Sequence, residues 1–153
     1  MKKIDFWLDK YAESHQNSTN KLIHWFCVPI ITFTLLGLLS FIKFSFLRYN
    51  INFSYILFLF ALLFYIRLSL SLTIGMGVFA GGSLLIINKL SSAFNSQELI
   101  TYYIFAFIIA WIGQFIGHKI EGKKPSFLED LKFLLIGPAW LLSFIYKKIN
   151  IKI

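Results

Sequence analysis

Charge is scarce in this chain, and thiols almost absent. Only 14% of its 153 residues are Asp, Glu, Lys or Arg, and there is one cysteine, Cys27. A lone cysteine excludes internal disulfides and any zinc site built from several thiolates. So few charges cannot cover the surface of a soluble domain this long. No apolar core ending in a small-residue cleavage site appears in the first 20 residues, so no cleaved signal is expected. What is abundant is hydrocarbon: 58% of residues are hydrophobic, 19% are aromatic, and mean hydropathy is +0.71. The composition is that of a small polytopic membrane protein.

The net charge of +8 raises nucleic acid as a partner. A nucleic-acid surface gathers its cations on one face of a soluble fold. Here they sit in short segments between apolar runs, where membrane topology and anionic lipid account for them, so no nucleic acid is expected.

Residues 4–15 place Ile4, Trp7, Leu8, Tyr11, Ala12 and His15 on one helical face, with Asp5, Asp9 and Glu13 opposite. Residues 1–20 therefore read as an interfacial amphipathic helix with His15 turned inward. Ser18, Thr19 and Asn20 offer cap chemistry for the next helix. Spans are expected at 22–42, 51–67, 70–88 and 99–117, the middle pair divided near Arg67. The segment 127–146 carries Lys132 and the breaker pair Gly137–Pro138, and reads as re-entrant or interfacial. The expected fold is thus an all-α polytopic membrane bundle of about four transmembrane helices, forming one domain. Gly77/Gly81 and Gly113/Gly117 are spaced for close helix packing.

All three histidines fall at one depth in this layout. His15 and His24 flank the start of the first span, and His118 ends the fourth. Trp111, Gln114, His118 and Glu121 share a helical face at spacings of three and four. An imidazole and a carboxylate one turn apart can serve one metal, as the mirror-order Glu-x-x-His motif does in di-iron bundles. Three imidazoles with a carboxylate and no thiolate suit Fe(II), Mn or Zn. One interfacial histidine alone would be an ordinary amphipathic residue, but three converging ionisable groups at membrane depth point to function.

The motif Tyr11-x3-His15-x4-Asn20-x3-His24-x4-Pro29 resembles the N-terminal signature of the 2-hydroxy fatty acid dioxygenase family. Gln114-x2-Gly117-His118-x2-Glu121, followed by Lys124-Pro125 and Gly137-Pro138, resembles its second signature. The chain departs from the family pattern at Cys27 and Ser126. The resemblance implies a membrane enzyme that uses Fe(2+) and O2 to remove one carbon, as carbon dioxide, from a long-chain 2-hydroxy fatty acid. It implies that His15, His24 and His118 serve the iron. Glu121, Asn20 and Gln114 would act beside it, as ligands or by orienting ligands. Lys119, Lys123 and Lys124 form a basic rim that serves as a topology determinant or would attract the acid's carboxylate, and the acyl tail would lie between spans in contact with membrane lipid. Two other readings use the same residues: an electron carrier with a haem between His24 and His118, and a non-catalytic lipid-binding protein.

Usage rich in Lys, Ile, Asn and Phe points to an AT-rich bacterial genome, hence a bacterial inner membrane. With four spans, twelve Lys and Arg residues fall on the side of the termini and three (Lys43, Arg48 and Lys89) on the other. If 127–146 crossed, the split would drop to nine against six. The positive-inside rule therefore places both termini and the histidines at the cytoplasmic face. A cysteine added near Lys148 should resist an impermeant thiol reagent applied to intact cells, and efficient labelling there would overturn this topology.

Overall fold

A computed structural model describes residues 3–46, 49–128 and 131–153. Lys2 and Arg48 of the charge count, and positions 129–130 of the last segment, lie outside the described residues. The elements are α1 (Lys3–Ala12), α2 (Ser18–Ser40), β1 (Lys43–Phe46), β2 (Tyr49–Asn52), α3 (Phe53–Ile66), α4 (Leu70–Ala93), α5 (Ser96–Glu121), a 3₁₀ turn (Ser126–Leu128) and α6 (Phe133–Lys148). The molecule is essentially all-α.

Short polar side chains set where the helices begin. Asn17, Asn52, Ser69 and Asn95 each accept from a first-turn amide of the helix that follows. For α2 this differs from the expectation. The cap is Asn17, and Asn20 already lies within the helix, which frees its side chain for another task. At the other end of α5, Gly122 adopts φ +73°, the left-handed conformation glycine takes without strain, and closes the helix.

Among the described residues three helices, α2, α4 and α5, are long and apolar enough to cross a membrane. Their outward residues, among them Phe26, Val78, Leu85 and Phe105, are exposed hydrocarbon that water would disfavour. The expected span at 51–67 is shorter than the sequence implied. Its first residues pair as a hairpin, Lys43 opposite Asn52, leaving a 14-residue α3. At 1.5 Å per residue α3 reaches about 21 Å, short of a ~30 Å hydrocarbon core. The aromatic-rich strands favour pairing, and the Asn52 cap fixes where the helix can start.

The helices α2 and α5 run antiparallel in close contact. A Cβ on Gly117 would collide with Asn20 Oδ1, and one on Gly113 would lie 2.7 Å from Cys27 Sγ. Gly77 and Gly81 meet α3 side chains only at 3.5 and 3.8 Å, ordinary van der Waals separations. The close approach in α4 occurs instead at Gly75, against Tyr146 and Leu142 of α6.

Both ends of α6 are tied to the corner between α3 and α4. Tyr65 Oη donates to Leu135 O at 2.6 Å, and Tyr146 Oη donates to Ser71 O at 2.7 Å. The helix therefore lies across that corner, and α1 packs beside it, with Ile4, Tyr65, Leu72 and Tyr146 in one cluster. The break expected at Gly137–Pro138 is absent: α6 continues through it. Proline removes one backbone hydrogen bond, but Ile136, Gly137, Ala139 and Trp140 are all buried around it and hold the helix in line. Gly137 also seats the Tyr11 ring, whose Oη would lie 3.0 Å from an added Cβ.

Replacing Gly117 with alanine should lower stability by about 1–3 kcal/mol, because the new methyl must displace a buried asparagine. Gly82→Ala, whose Cβ meets nothing within 4 Å, is the control and should leave the melting temperature in detergent unchanged or raised. Equal melting of the two variants would contradict the packing described.

Candidate metal centre

His15 lies in the turn after α1, His24 in the second turn of α2, and His118 in the last turn of α5. All three are buried, His15 and His24 completely. The His15 ring centroid is 4.4 Å from that of His24 and 4.9 Å from that of His118, and the last two are 4.9 Å apart. One nitrogen from each ring lies within 4.8 Å of the others. The convergence expected from the sequence is therefore what the fold builds.

Hydrogen bonds fix which nitrogens are free. His15 Nδ1 is 2.6 Å from Tyr11 O, and His24 Nδ1 is 2.9 Å from Asn20 O. A carbonyl can only accept, so both Nδ1 atoms carry the proton and both Nε2 atoms carry lone pairs. Those two Nε2 atoms face each other at 3.0 Å. Two neutral imidazoles held this way have no proton to share, and a cation between them would relieve the opposed lone pairs. A proton on His15 is disfavoured: burial, and then the neighbouring His24, hold its pKa at about 3. A metal fits better, because two imidazoles on one ion with ~2.1 Å bonds bring their nitrogens to within about 3–3.5 Å of each other. The third ring agrees, since His118 Nδ1 is buried with no partner, which by itself costs roughly 1–3 kcal/mol.

Glu121 is already engaged elsewhere. Its Oε1 accepts from Gln16 N at 2.8 Å, and its Oε2 accepts from Asn17 N at 2.9 Å and Asn20 Nδ2 at 3.0 Å. The carboxylate pins the corner between α1 and α2 to the end of α5, so it positions the histidines. Asn20 is also a positioning residue. Its carbonyl orients His24, while its amide donates to Ser14 O at 3.2 Å and to Glu121. Gln114 is buried and lines a small cavity with His118.

A family model described as 2-hydroxy-palmitic acid dioxygenase Mpo1-like matches residues 1–149. The chain belongs to the Mpo1-like family. Among curated proteins, the 2-hydroxy-palmitic acid dioxygenase MPO1 of Saccharomyces cerevisiae is 29% identical over 140 residues, covering 90% of this chain and 76% of that protein. No solved structure matches the chain significantly.

Against this family background, the haem alternative fails on geometry. A macrocycle between His24 and His118 needs space that their 4.9 Å separation, with His15 against both, does not leave. The basic rim is also placed differently from expectation. Lys123 Nζ donates to Glu13 O at 2.7 Å, a structural contact. The lysines on the approach to His15 are Lys21, Lys147 and Lys152, which line a cleft of about 800 Å³ together with Asp5 and Asp9. Ser126 was missed as a site residue. It is buried, its Oγ has no partner, and it lines the cavity shared by Gln114 and His118. Its only signal was its departure from the family pattern just after Lys124-Pro125.

Metal titration of apo-protein should give about one tightly held divalent ion per chain. His15→Ala or His118→Ala should abolish tight binding. Glu121→Gln should weaken it about 10–100-fold, the usual effect of loosening a residue that orients ligands. Unchanged binding in His118→Ala would remove that ring from the centre.

Proposed function

We propose that the protein is a non-haem iron(II) dioxygenase of a bacterial inner membrane. It takes a long-chain 2-hydroxy fatty acid and O2, and returns the acid one carbon shorter with carbon dioxide and water. The observation that carries this reading is the pair of buried Nε2 lone pairs held 3.0 Å apart, with the His118 ring against both. Iron held by His15, His24 and His118 would supply the activation of O2.

The overall balance needs no further reductant. Breaking the C1–C2 bond releases C1 as carbon dioxide and raises C2 from an alcohol to a carboxyl. That removes four electrons, the number one O2 accepts.

The chain's own groups prepare this chemistry. The carbonyls of Tyr11 and Asn20 hold the His15 and His24 rings in the tautomer that presents Nε2 to the centre. Tyr11 also stacks on His15, centroids 4.1 Å apart at 13°, and excludes water from that face. Lys21, Lys147 and Lys152 offer amines to a carboxylate in the cleft beside His15, next to the carboxylates of Asp5 and Asp9. With the short α3 counted as the fourth crossing, the charge asymmetry of the chain supports a cytoplasmic position for both termini and for this cleft. Membrane lipid surrounds the bundle and delivers an apolar substrate. The activity for which the yeast relative is named supports a 2-hydroxy acid of palmitic length.

Protein purified without oxygen and loaded with iron(II) should convert 2-hydroxypalmitate and O2 to pentadecanoate, read by mass spectrometry. His24→Ala and His118→Ala should lose turnover and iron together. Full iron occupancy with no shortened product from any 2-hydroxy acid would overturn the reaction, and would favour a non-catalytic lipid-binding role.

A further inference from the structure

The three imidazoles stand between two spaces of opposite character. On the His15 side is the lysine-bearing cleft. On the His118 side is the cavity of about 50 Å³ that also holds Gln114 and Ser126. Ile31, Thr32, Trp111, Leu134 and Pro138 wall that cavity, and the same five residues wall an apolar chamber of about 410 Å³. The small cavity adjoins the large one across these five side chains, in the position of a neck.

Polarity changes across this neck. His118 Nδ1 and Ser126 Oγ, both buried without partners, face the small cavity. In the chamber wall the two hydroxyls are already satisfied. Thr32 Oγ1 donates to Val28 O at 2.9 Å, and Tyr65 Oη donates to Leu135 O. The rest of that wall is mainly aliphatic and aromatic. The far end is shut, because Leu36 and Ala80 belong to a packed cluster with Leu84, Ile87 and Tyr103. Sideways, Phe60, Leu131 and Leu134 on the wall are exposed at the lipid-facing surface.

The length of this path is set by α2. From residue 24 to residue 36 is twelve helical steps, about 18 Å. An extended alkyl chain, with C–C bonds of ~1.52 Å at ~111°, advances about 1.25 Å per bond, so roughly 14 bonds cover that depth. Placing C2 at the imidazoles puts the last carbon of a sixteen-carbon acid at Leu36.

We propose that this chamber is the acyl-chain site. The carbons next to the head pass the neck at Ser126 and Trp111, and the end wall of Leu36, Phe58 and Ala80 sets the longest tail accepted. The proposal rests on reading the histidine cluster as a centre acting on 2-hydroxy fatty acids, and it states where that acid lies. The acid enters from the bilayer past Phe60 and Leu134. The lysine cleft on the opposite side of the imidazoles is left for the polar end and for products.

The test is photolabelling with 2-hydroxypalmitic acid carrying a diazirine at its terminal carbon, using the full chain in lipid nanodiscs, where no turnover is required. Adducts are expected on Leu36, Leu57, Phe58 or Ala80. Adducts on Leu8, Ala12 or Phe144 of the cleft, or none in the chamber, would overturn the proposal. A kinetic arm varies the end wall. Ala80→Leu should shift the kcat/KM ratio of twelve- over sixteen-carbon acids upward by about 10-fold or more, and Phe58→Ala should favour acids longer than sixteen carbons. Chamber adducts without any shortened product would overturn the reaction and keep the chamber. Shortened product with adducts only in the cleft would overturn the chamber and keep the reaction.

Discussion

The Glu121 carboxylate is the tie on which the centre depends. The three imidazoles come from a turn and two different helices, and nothing local to any one of them brings the other two near. Glu121 accepts from the amides of Gln16 and Asn17 and from the Asn20 side chain, so one side chain of α5 fixes the corner between α1 and α2. Charge-assisted bonds of this kind are about twice as strong as neutral ones. They also satisfy backbone donors beside the start of α2, where a negative charge is favoured by the helix dipole. The close approach of α2 and α5 at Gly117 serves the same geometry, because it lets Asn20 reach the carboxylate one turn further along.

A second regularity lies in the spacing of four. Tyr11 precedes His15 by four residues, and Asn20 precedes His24 by four. In both pairs the earlier residue gives its carbonyl to the imidazole Nδ1. Any residue has a carbonyl, so this bond alone does not require tyrosine or asparagine. The side chains do separate work. Tyr11 stacks on His15 and seats against Gly137 of α6, while Asn20 joins α2 to Glu121. Each residue thus sets the tautomer of its histidine through the backbone and the position of its helix through the side chain.

That division explains what could be read from the chain and what could not. Long apolar runs report burial in lipid, and they marked α2, α4 and α5 because helix length against bilayer thickness is a local property. The convergence of His15, His24 and His118 was legible for a similar reason: two flank the start of the first expected span and the third closes the fourth, ends that an even number of crossings brings to one side. The hairpin before α3 was not, since its two four-residue strands, KFSF and YNIN, mix polar and apolar residues as a connecting loop does and pair only with one another. The helix through Pro138 was not either, because what holds it comes from Tyr11, Tyr65 and Ser71, 67 or more positions away in the chain. Glu121 was seen beside His118, but its engagement with backbone amides at Gln16 and Asn17 leaves no side-chain signature. Ser126 was noticed only as a departure from a motif.

Unpartnered polar atoms separate the site from the scaffold. Four buried side-chain atoms lack a partner among the described residues, and three of them, Asn20 Oδ1, His118 Nδ1 and Ser126 Oγ, cluster about the imidazoles. Hydroxyls elsewhere in the bundle mostly turn back on a carbonyl of their own helix, as Thr32, Thr34, Thr73 and Ser83 do. That is the cheap solution wherever water is absent, since an unsatisfied group in hydrocarbon costs several kcal/mol. A chain that satisfies its polar groups so consistently, and leaves three unmet beside one cluster, carries a local instability that a bound metal and a polar substrate head would relieve. The same cost keeps the hydrocarbon side of the neck free of competing hydrogen bonds. The step from unmet polar atoms to an apolar wall therefore falls at Ser126 and Trp111, the order of polarity that a molecule with a polar head and an apolar tail would match.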